Sequence, residues 1–202
     1  LRDRYNFITE TDTEVILAAY EAWGIQFVSR LKGMFAIGIL DEKKNQQHLI
    51  RDRFGIKPLY YGITENDVVF ASELKAIIKS NVFPKTLNNS AVADYFVYRY
   101  VPSPKTIWEG ISKLPPANYL SVNLEDFSYT TETYWELNGA EKKVELNEFI
   151  AETEELLKKS VQQHLRADVP IGSFLSGGYD SSALALWMKE AEKPPKTFSI
   201  GF

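Results

Sequence analysis

The residues in this chain that are best suited to chemistry lie together in the run 169–182, VPIGSFLSGGYDSS. The run predicts a buried strand, then a glycine-rich turn, and then the start of a helix. Paired glycines let the backbone turn tightly, so that its N–H groups can face an anion. A helix that begins there adds free N–H groups and the positive end of its dipole. The pattern therefore predicts a phosphate-binding loop, with a serine-capped strand-to-helix turn as the purely structural alternative.

Side chains within the loop indicate which phosphate chemistry it would support. Ser176, Ser181 and Ser182 supply hydroxyl donors, while Asp180 places a carboxylate where phosphate should bind. A carboxylate beside phosphate makes sense mainly when a divalent cation lies between them. Because no Lys follows the glycines, the run is not the GxxxxGK[ST] P-loop. The residues therefore favour binding of a pyrophosphate leaving group over γ-phosphoryl transfer.

Composition narrows the possible function classes. The chain has 202 residues, 45% of them hydrophobic and 25% charged, as is ordinary for a soluble globular protein. A net charge of −4 and the lack of a basic block make nucleic acid a poor partner. The sequence shows neither an apolar run of membrane-spanning length nor a signal peptide, so we expect no membrane partner and a cytoplasmic location. Without Cys, and with only His48 and His164, these residues offer no disulfide, no cysteine nucleophile and few bases for a serine triad.

Upstream of the loop, the first part of the chain predicts an antiparallel sheet with a helix beside it. Thr11 and Glu14 fit a capping box at a helix start, and Gly24 marks the break that ends this helix. Apolar runs predict strands at residues 34–40, 48–51, 59–61 and 68–71, the last two forming a hairpin. Prolines interrupt this pattern over residues 84–139, where the aromatic residues at 95–100 predict packing between domains.

The second part of the chain predicts a different architecture. Residues 138–143 read as a linker, and an amphipathic helix is predicted over 146–165. The strand, loop and helix of the phosphate-binding run follow, the helix stopping near 193–195, and a further strand begins at 197–202. This strand–helix–strand order is a right-handed parallel unit, so the predicted fold class is α+β followed by α/β.

Several strings resemble a known family. The loop at 176–182 is similar to the pyrophosphate loop of ATP-pyrophosphatases, which adenylate a carbonyl or carboxylate oxygen. Together with the flanking strings at 167–172 and 197–202, it resembles glutamine-dependent asparagine synthetase more narrowly. In the first half, the strings that resemble the glutaminase domain of that family lie at 11–17, 31–36, 51–61 and 70–76. The resemblance spans essentially the whole chain in the expected order.

The resemblance implies an architecture and a reaction. Residues 1–138 would be the C-terminal part of an antiparallel-sheet, N-terminal-nucleophile glutaminase domain with its interdomain segment, and residues 139–146 a linker. Residues 147–202 would begin a parallel-sheet ATP-pyrophosphatase domain. In the family, a cysteine nucleophile hydrolyses glutamine, and the ammonia passes through an internal channel. ATP and Mg²⁺ activate aspartate as a β-aspartyl adenylate, from which ammonia displaces AMP. Glutamine and aspartate are thus the expected substrates, and whether the parent is a homodimer is left open.

Residue roles follow only where positions match. The resemblance implies that Asp12 holds the α-amino group of glutamine, although its position also suits a carboxylate favoured by a helix dipole. The residues that match the pyrophosphate loop are Ser176, Gly177, Gly178, Asp180 and Ser181, with Asp180 as the Mg²⁺ ligand. Phe174 and Leu175 match the strand end that contacts adenosine, or they are simply core residues of the strand.

Two further strings have structural interpretations. We expect Arg51 and Asp52 to pair or to bond loop backbone, with Gly55 and Pro58 shaping the turn. The pair at 72–73 would either cap the helix that runs to residue 78 or line a domain interface.

The chain departs from the family at both ends, which look cut. The cysteine nucleophile and the Asn-Gly-Glu and Arg elements that clamp glutamine would lie upstream of Leu1. The catalytic Lys of the synthetase site would lie beyond Phe202. We therefore expect the fragment alone to be inactive and to expose hydrophobic sheet edges.

Three alternatives remain open at this stage. A paralogue could amidate a surface-polysaccharide sugar or another carboxylate, and a scaffold protein could have lost its nucleophile. A phosphoribosyl amidotransferase shares the Arg-Asp…Gly-Ile…Pro-Leu pattern but lacks the Ser-Gly-Gly-x-Asp-Ser loop.

Overall fold

A computed structural model describes residues 1, 5–139, 141, 143–191 and 195–201. Contacts along the chain divide it into two compact units, Leu1–Asn138 and Gly139–Phe202. The described residues include no helix that is both long and apolar enough to cross a membrane.

The first unit begins with helix α1, Asp12–Trp23. Thr11 precedes it in an extended conformation, and its hydroxyl accepts a hydrogen bond from the Glu14 N–H. Gly24 ends α1 with φ at 58°, a left-handed value that glycine adopts without a Cβ penalty, as the sequence predicted. A 3-10 helix, Gly24–Arg30, continues the chain and buries Phe27 and Val28.

Among the described residues of the first unit, seven strands and two more helices follow. In chain order the strands are β1 (Ala36–Asp41), β2 (Gln46–Arg51), β3 (Tyr60–Ile63), β4 (Val68–Ala71), β5 (Ser112–Lys113), β6 (Asn118–Asn123) and β7 (Tyr129–Thr133). Every pairing between them is antiparallel, in one sheet ordered β1-β2-β6-β7 and another ordered β4-β3-β5. The predicted α+β class is confirmed, but the single predicted sheet is two sheets.

The four-stranded sheet is covered on both faces. On one face Ile50 and Tyr119 pack with Phe27 and with the α1 residue Ala19. On the other face Leu49, Leu120 and Val122 pack with Leu59 and Leu114 from the region of the smaller sheet. Consecutive residues of β2 are therefore buried on opposite sides, and α1 lies in the outer layer of a helix–sheet–sheet arrangement.

The proline-interrupted segment is part of this fold. It supplies β5, β6 and β7, which the sequence analysis missed, and helix α3 (Asn89–Tyr98), which follows helix α2 (Leu74–Lys79). The aromatic residues around the end of α3 are exposed within the unit, Phe96 to 80% and Tyr100 to 61%. The prediction that they pack between domains stays a prediction.

The second unit contains helices α4 (Leu146–His164) and α5 (Tyr179–Ala191) and strands β8 (Gly172–Phe174) and β9 (Lys196–Phe198). β8 and β9 pair in parallel, which confirms the predicted strand–helix–strand unit. The predicted helix end at 193–195 falls partly outside the described residues, as does Phe202 of the predicted final strand.

One prediction about β8 is wrong. The strand was expected to be buried, but Phe174 is 80% exposed and Val169 just before the strand is 69% exposed. The physical reason is that a two-stranded sheet offers little cover, and within the described part of this unit nothing covers the face that bears Phe174.

Candidate functional site

Asp12 occupies the first position of α1, and its carboxylate is exposed. Within the described ranges it has no hydrogen-bond or ion-pair partner. Negative charge is favoured at a helix N-terminus, and Asp12 supplies this charge without bonding to a described neighbour. Its carboxylate is therefore available to a ligand that carries positive charge.

Glu14, two residues further on, behaves differently. Its carboxylate accepts hydrogen bonds from the N–H groups of Ile8, at 2.9 Å, and Thr9, at 2.6 Å. These bonds, led by the one from Ile8, lower the pKa of Glu14. The predicted capping box is thus only half formed, because the Thr11 N–H donates to the Thr9 hydroxyl at 3.3 Å instead of to Glu14.

An open groove borders this turn. The described residues around it leave a volume of about 930 Å³, with Thr9, Thr11, Val15 and Trp23 in its wall. The groove thus places a space of ligand size next to the residues that flank Asp12.

The predicted phosphate-binding loop connects β8 to α5. Its first residue, Leu175, donates its N–H to the Phe198 carbonyl at 2.9 Å and accepts a 2.7 Å bond from the Ser199 hydroxyl. These bonds fix the start of the loop to β9. Gly177 then has φ at 81°, and a Cβ added there would meet nothing within 4 Å.

The serines of the loop come together. The Ser176 and Ser181 hydroxyl oxygens lie 3.1 Å apart, and the Ser181 hydroxyl also donates to the Gly178 carbonyl at 3.1 Å. The Ser182 N–H closes the first turn of α5 on the same carbonyl at 3.0 Å. The strand-to-helix turn is therefore present, but the described serine hydroxyls bond each other and the Gly178 carbonyl instead of accepting from an N–H group of α5, and the space above Gly177 stays open.

The remaining predicted site residues of this unit lie beside the loop. Asp180 is in the first turn of α5 and is exposed. Leu175 is half-buried and Phe174 is exposed among the described residues, and both interpretations of the pair, adenosine contact and strand core, stay predictions.

The Arg51–Asp52 pair has the structural role that was expected. Asp52 is 1% exposed, and its carboxylate accepts four backbone N–H groups, from Phe35, Phe54, Ile56 and Lys57, at 2.9 to 3.3 Å. The Arg51 guanidinium donates to three carbonyls, those of Gly55, Lys57 and Leu114. The two side chains thus organise the turn at 53–58, where Gly55 has φ at 64°.

The capping interpretation of the pair at 72–73 is not supported for Glu73. This residue does stand at the N-cap of α2, but its side chain makes no capping hydrogen bond and pairs with Lys75 instead.

Comparison with known proteins matches both units. A family model described as a glutamine amidotransferase domain matches residues 1–135, and one described as asparagine synthase matches residues 152–202. This chain belongs to the glutamine amidotransferases of the asparagine synthetase family. The amidotransferase match covers the unit that bears Asp12, and the synthase match covers the unit that bears the serine–glycine loop.

The curated relatives that match this chain are longer proteins. It is 37% identical over 198 residues to "Asparagine synthetase [glutamine-hydrolyzing] 1" of Bacillus subtilis, covering 98% of this chain and 31% of that protein. It is 39% identical over 208 residues to "Putative asparagine synthetase [glutamine-hydrolyzing] 2" of Methanocaldococcus jannaschii, covering 100% of this chain and 40% of that protein. The chain therefore spans well under half the length of either relative.

Among solved structures, a glutamine phosphoribosylpyrophosphate amidotransferase from B. subtilis resembles this amidotransferase chain at a TM-score of 0.42 and 18% identity. The match covers 98% of this chain and 41% of that one. A TM-score of this size does not establish a shared fold.

The loop of this synthetase-family chain can be tested for fit to a metal. Across the described ranges, no group of three His, Cys, Asp or Glu side chains is placed to hold a metal ion. A single exposed carboxylate, Asp180, is nevertheless compatible with Mg²⁺, which commonly takes one or two protein carboxylates and completes its shell with phosphate oxygens and water. The donor set fits a cation that arrives with a nucleotide rather than one held by the protein alone.

Sequence analysis missed one polar cluster in the amidotransferase unit. His48 was considered only as one of few possible bases, yet it is 4% exposed and hydrogen-bonded on both ring nitrogens, to Tyr20 and Ser121. The only signal in the sequence was a lone His within an apolar strand pattern, which is typical of a histidine with its hydrogen bonds satisfied in the core.

Proposed function

We propose that the full-length polypeptide carrying this chain is an ATP-dependent, amide-forming ligase that makes asparagine from aspartate and glutamine. The observation that carries this proposal is the order of the two matches, an amidotransferase domain followed by an asparagine synthase domain, on the two compact units of one chain. One unit would supply nitrogen and the other would activate the acceptor.

The first proposed site is for glutamine. Asp12 would hold the α-amino group of glutamine, because its carboxylate is exposed and engaged by no described neighbour. An ammonium group at this position would form a charge-assisted hydrogen bond, which is stronger than a neutral one. The groove beside Thr9 and Thr11 offers space for the rest of the substrate.

The second proposed site is for ATP and its pyrophosphate. Ser176, Gly177, Gly178 and Ser181 would bind phosphate oxygens through hydroxyl and backbone N–H donors, at the favourable end of the α5 dipole. Asp180 would hold Mg²⁺, which when bound offsets the negative charge that develops on departing pyrophosphate. The strand end that bears Phe174 and Leu175 would contact the adenosine.

The proposed reaction balances in two steps. A side-chain carboxylate oxygen of aspartate attacks the α-phosphorus of ATP, and the bond to the oxygen of pyrophosphate breaks. Ammonia then attacks the acyl carbon of the β-aspartyl adenylate, loses a proton, and AMP leaves with the oxygen. Adenylation is needed because a free carboxylate is a poor electrophile. Ammonia would come from glutamine hydrolysis, through a nucleophile outside these residues.

The deciding experiment uses the full-length protein. It is incubated with ATP, Mg²⁺ and glutamine, the acceptor acid is varied, and pyrophosphate release is followed. We expect aspartate to give pyrophosphate and asparagine in equal amounts. Pyrophosphate at background level with aspartate would reject the asparagine assignment.

A paired substitution tests the loop. Asp180→Ala is expected to abolish asparagine synthesis while leaving glutamine hydrolysis intact, because Asp180 would act only in the ATP site. Asp168→Ala, which removes another exposed carboxylate a short distance before β8, is the matched control and should leave both activities unchanged. Synthesis that survives Asp180→Ala would show that Asp180 does not hold the metal.

A second candidate differs only in the acceptor. The chain is also 32% identical over 189 residues to "Amidase chry2" of Gibberella zeae, a relative that is not named as an asparagine synthetase. The alternative is a paralogue that amidates a surface-polysaccharide sugar or another carboxylate. Pyrophosphate release with an acid other than aspartate, in the acceptor series described above, would favour it.

The proposed enzyme would act in the cytoplasm on small-molecule substrates, without nucleic acid or a membrane as partner. Size measurement of the full-length protein would decide whether it is a homodimer.

A further inference from the structure

We propose that Glu14 is a positioning residue, which sets the place of Asp12 for the amino group of glutamine. The inference rests on the proposed role of Asp12 as a glutamine ligand. It adds that the second carboxylate of the same helical turn acts through the backbone and does not touch the substrate.

The hydrogen bonds around Glu14 form a closed ring. Besides the two N–H groups of Ile8 and Thr9, its carboxylate accepts the Thr9 hydroxyl at 2.5 Å. The single proton of the Thr9 hydroxyl is then used, so the Thr11 hydroxyl must be the donor in its 2.8 Å contact with the Thr9 oxygen. The Glu14 N–H returns to the Thr11 hydroxyl oxygen at 3.5 Å.

This ring encloses the backbone on which Asp12 sits. Thr9 and Thr11 precede Asp12 in the sequence, and Glu14 follows it. Two bonds of the ring span Asp12, because they join Glu14 to Thr9 and to Thr11, and the third bond joins Thr9 to Thr11. Asp12 itself takes no part in the ring. Of the two carboxylates at this helix start, one is therefore fully used in local structure and the other is left available.

Apolar packing does not fix the conformation of the chain at the start of α1. Ile8 is 88% exposed, and the residues from Thr9 to Thr13 are all exposed. The buried positions of α1, Ala18 and Ala19, lie more than a turn further along. Because little apolar surface fixes the turn, the hydrogen bonds of Glu14 must hold its conformation, and their loss should loosen the turn without unfolding the core.

The test is Glu14→Gln in the full-length protein, assayed by glutamate release from glutamine. The amide keeps one acceptor oxygen but turns an NH₂ group toward a backbone donor, so at least one bond is lost. We expect KM for glutamine to rise about tenfold, with kcat and the ammonia-dependent reaction nearly unchanged. Hydrogen exchange at the Ile8 and Thr9 amides should become faster. Glu21→Gln, an exposed position on the same helix, is the matched control and should change neither quantity.

The outcomes separate this inference from the proposed function. A rise in KM with Asp12→Asn but not with Glu14→Gln would overturn the positioning role alone. An equal loss of the glutamine-dependent and ammonia-dependent reactions with Glu14→Gln would show a general structural role and would also overturn it. If Asp12→Asn leaves KM unchanged, or if the unsubstituted protein releases no glutamate, the proposed glutamine site and this inference both fail.

Discussion

The Tyr20 hydroxyl donates a 2.7 Å hydrogen bond to Oδ2 of Asp41, which joins α1 to the end of β1. The same hydroxyl oxygen lies 3.1 Å from Nε2 of His48 in β2. Since a phenol has one proton and Asp41 receives it, we assign the proton of His48 to Nε2, so that this nitrogen donates to the phenol oxygen. Nδ1 of His48 then accepts from the Ser121 hydroxyl at 2.8 Å. One chain of bonds thus links α1 to three strands.

Replacing Tyr20 by Phe should weaken this connection. The variant removes the donor to Asp41 and the acceptor of His48, and we expect it to lower the free energy of unfolding by about 1–2 kcal/mol. The measurement is urea unfolding of the full chain, followed by tryptophan fluorescence. Tyr98→Phe, at a position that is 57% exposed, is the control and should have almost no effect. Equal stability of the two variants would mean that the bonds to Tyr20 contribute nothing net.

Stability should also depend on the protonation of His48. Burial lowers the pKa of His48, the charge of Asp41 opposes this shift, and Lys44 adds to it. Because the folded state disfavours the imidazolium, the stabilising contribution is complete above the ordinary histidine pKa of about 6.5 and is lost as pH falls below it. The urea midpoint should therefore drop between neutral and mildly acidic pH.

His164→Gln is the matched control for the pH experiment. His164 is the only other histidine of the chain and is exposed near the end of α4, so its removal should leave the pH dependence intact. His48→Gln should flatten that dependence around the histidine range. A profile that His48→Gln leaves as steep as before would assign the acid sensitivity to other groups.

Tyr20 should contribute to stability on the high-pH side, as should Tyr119 and Tyr134, whose pKa values burial also raises to about 12. Burial, followed by the hydrogen bond to Asp41 and its charge, raises the pKa of Tyr20 to about 12. A raised pKa in the folded state means that the contribution is complete below the ordinary tyrosine value of about 10 and is lost as pH rises toward 12. In an ultraviolet titration, Tyr20→Phe should remove one late-titrating phenol. An unchanged late phase would contradict the assignment to Tyr20.

Strands were predicted correctly where polar turns separate short apolar runs, and they were missed where prolines or exposed residues obscure the apolar pattern. The hairpin of β3 and β4 was found because polar turn residues separate two short apolar runs. β6 and β7 were missed because the preceding prolines and the exposure of every β7 residue hide any alternation. In β2, Leu49 and Ile50 are both fully buried, because the sheet is covered on both faces. The sequence of β2 therefore lacks the alternation of apolar and polar residues that is typical of a half-buried strand.

The candidate site was predictable where the chemistry is local. The turn after β8 follows from glycine and serine spacing alone, and the contact between Ser176 and Ser181 lies within it. The bonds of Glu14 to Ile8 and Thr9 were not predictable, because they depend on how the chain approaches α1 and not on the capping residue. The Tyr20–His48 contact spans 28 residues, and no local pattern encodes it.

Asp52 should be among the most sensitive positions of the first unit. Asp52→Asn replaces one acceptor oxygen by an NH₂ group that faces backbone donors, in a site that is 1% exposed. We expect a loss of about 3 kcal/mol or more, because buried N–H groups are left without acceptors. Differential scanning calorimetry would measure it, with Glu42→Gln, at an exposed position in the β1–β2 turn, as the control. A melting temperature for Asp52→Asn within error of the control would refute the role of Asp52 in organising the 53–58 turn.

The two loop glycines should respond differently to alanine. Gly177 has φ at 81°, so Gly177→Ala introduces backbone strain of about 1–2 kcal/mol although its Cβ would meet no neighbour. A Cβ at Gly178 would lie 3.6 Å from the Ser176 hydroxyl oxygen, an ordinary contact, and the residue needs no left-handed φ. Gly178→Ala should therefore leave the free energy of unfolding nearly unchanged.

The effects of the two glycine substitutions on ATP binding should differ from their effects on the free energy of unfolding. If the loop binds the phosphates of ATP as proposed, a methyl group at either position occupies the space where backbone N–H groups would meet phosphate oxygens. Both variants of the full-length protein should then bind Mg·ATP at least about tenfold more weakly by calorimetric titration, although only Gly177→Ala is destabilised. Undiminished ATP binding by Gly178→Ala, in a protein of unchanged stability, would show that phosphate does not approach the loop at this residue.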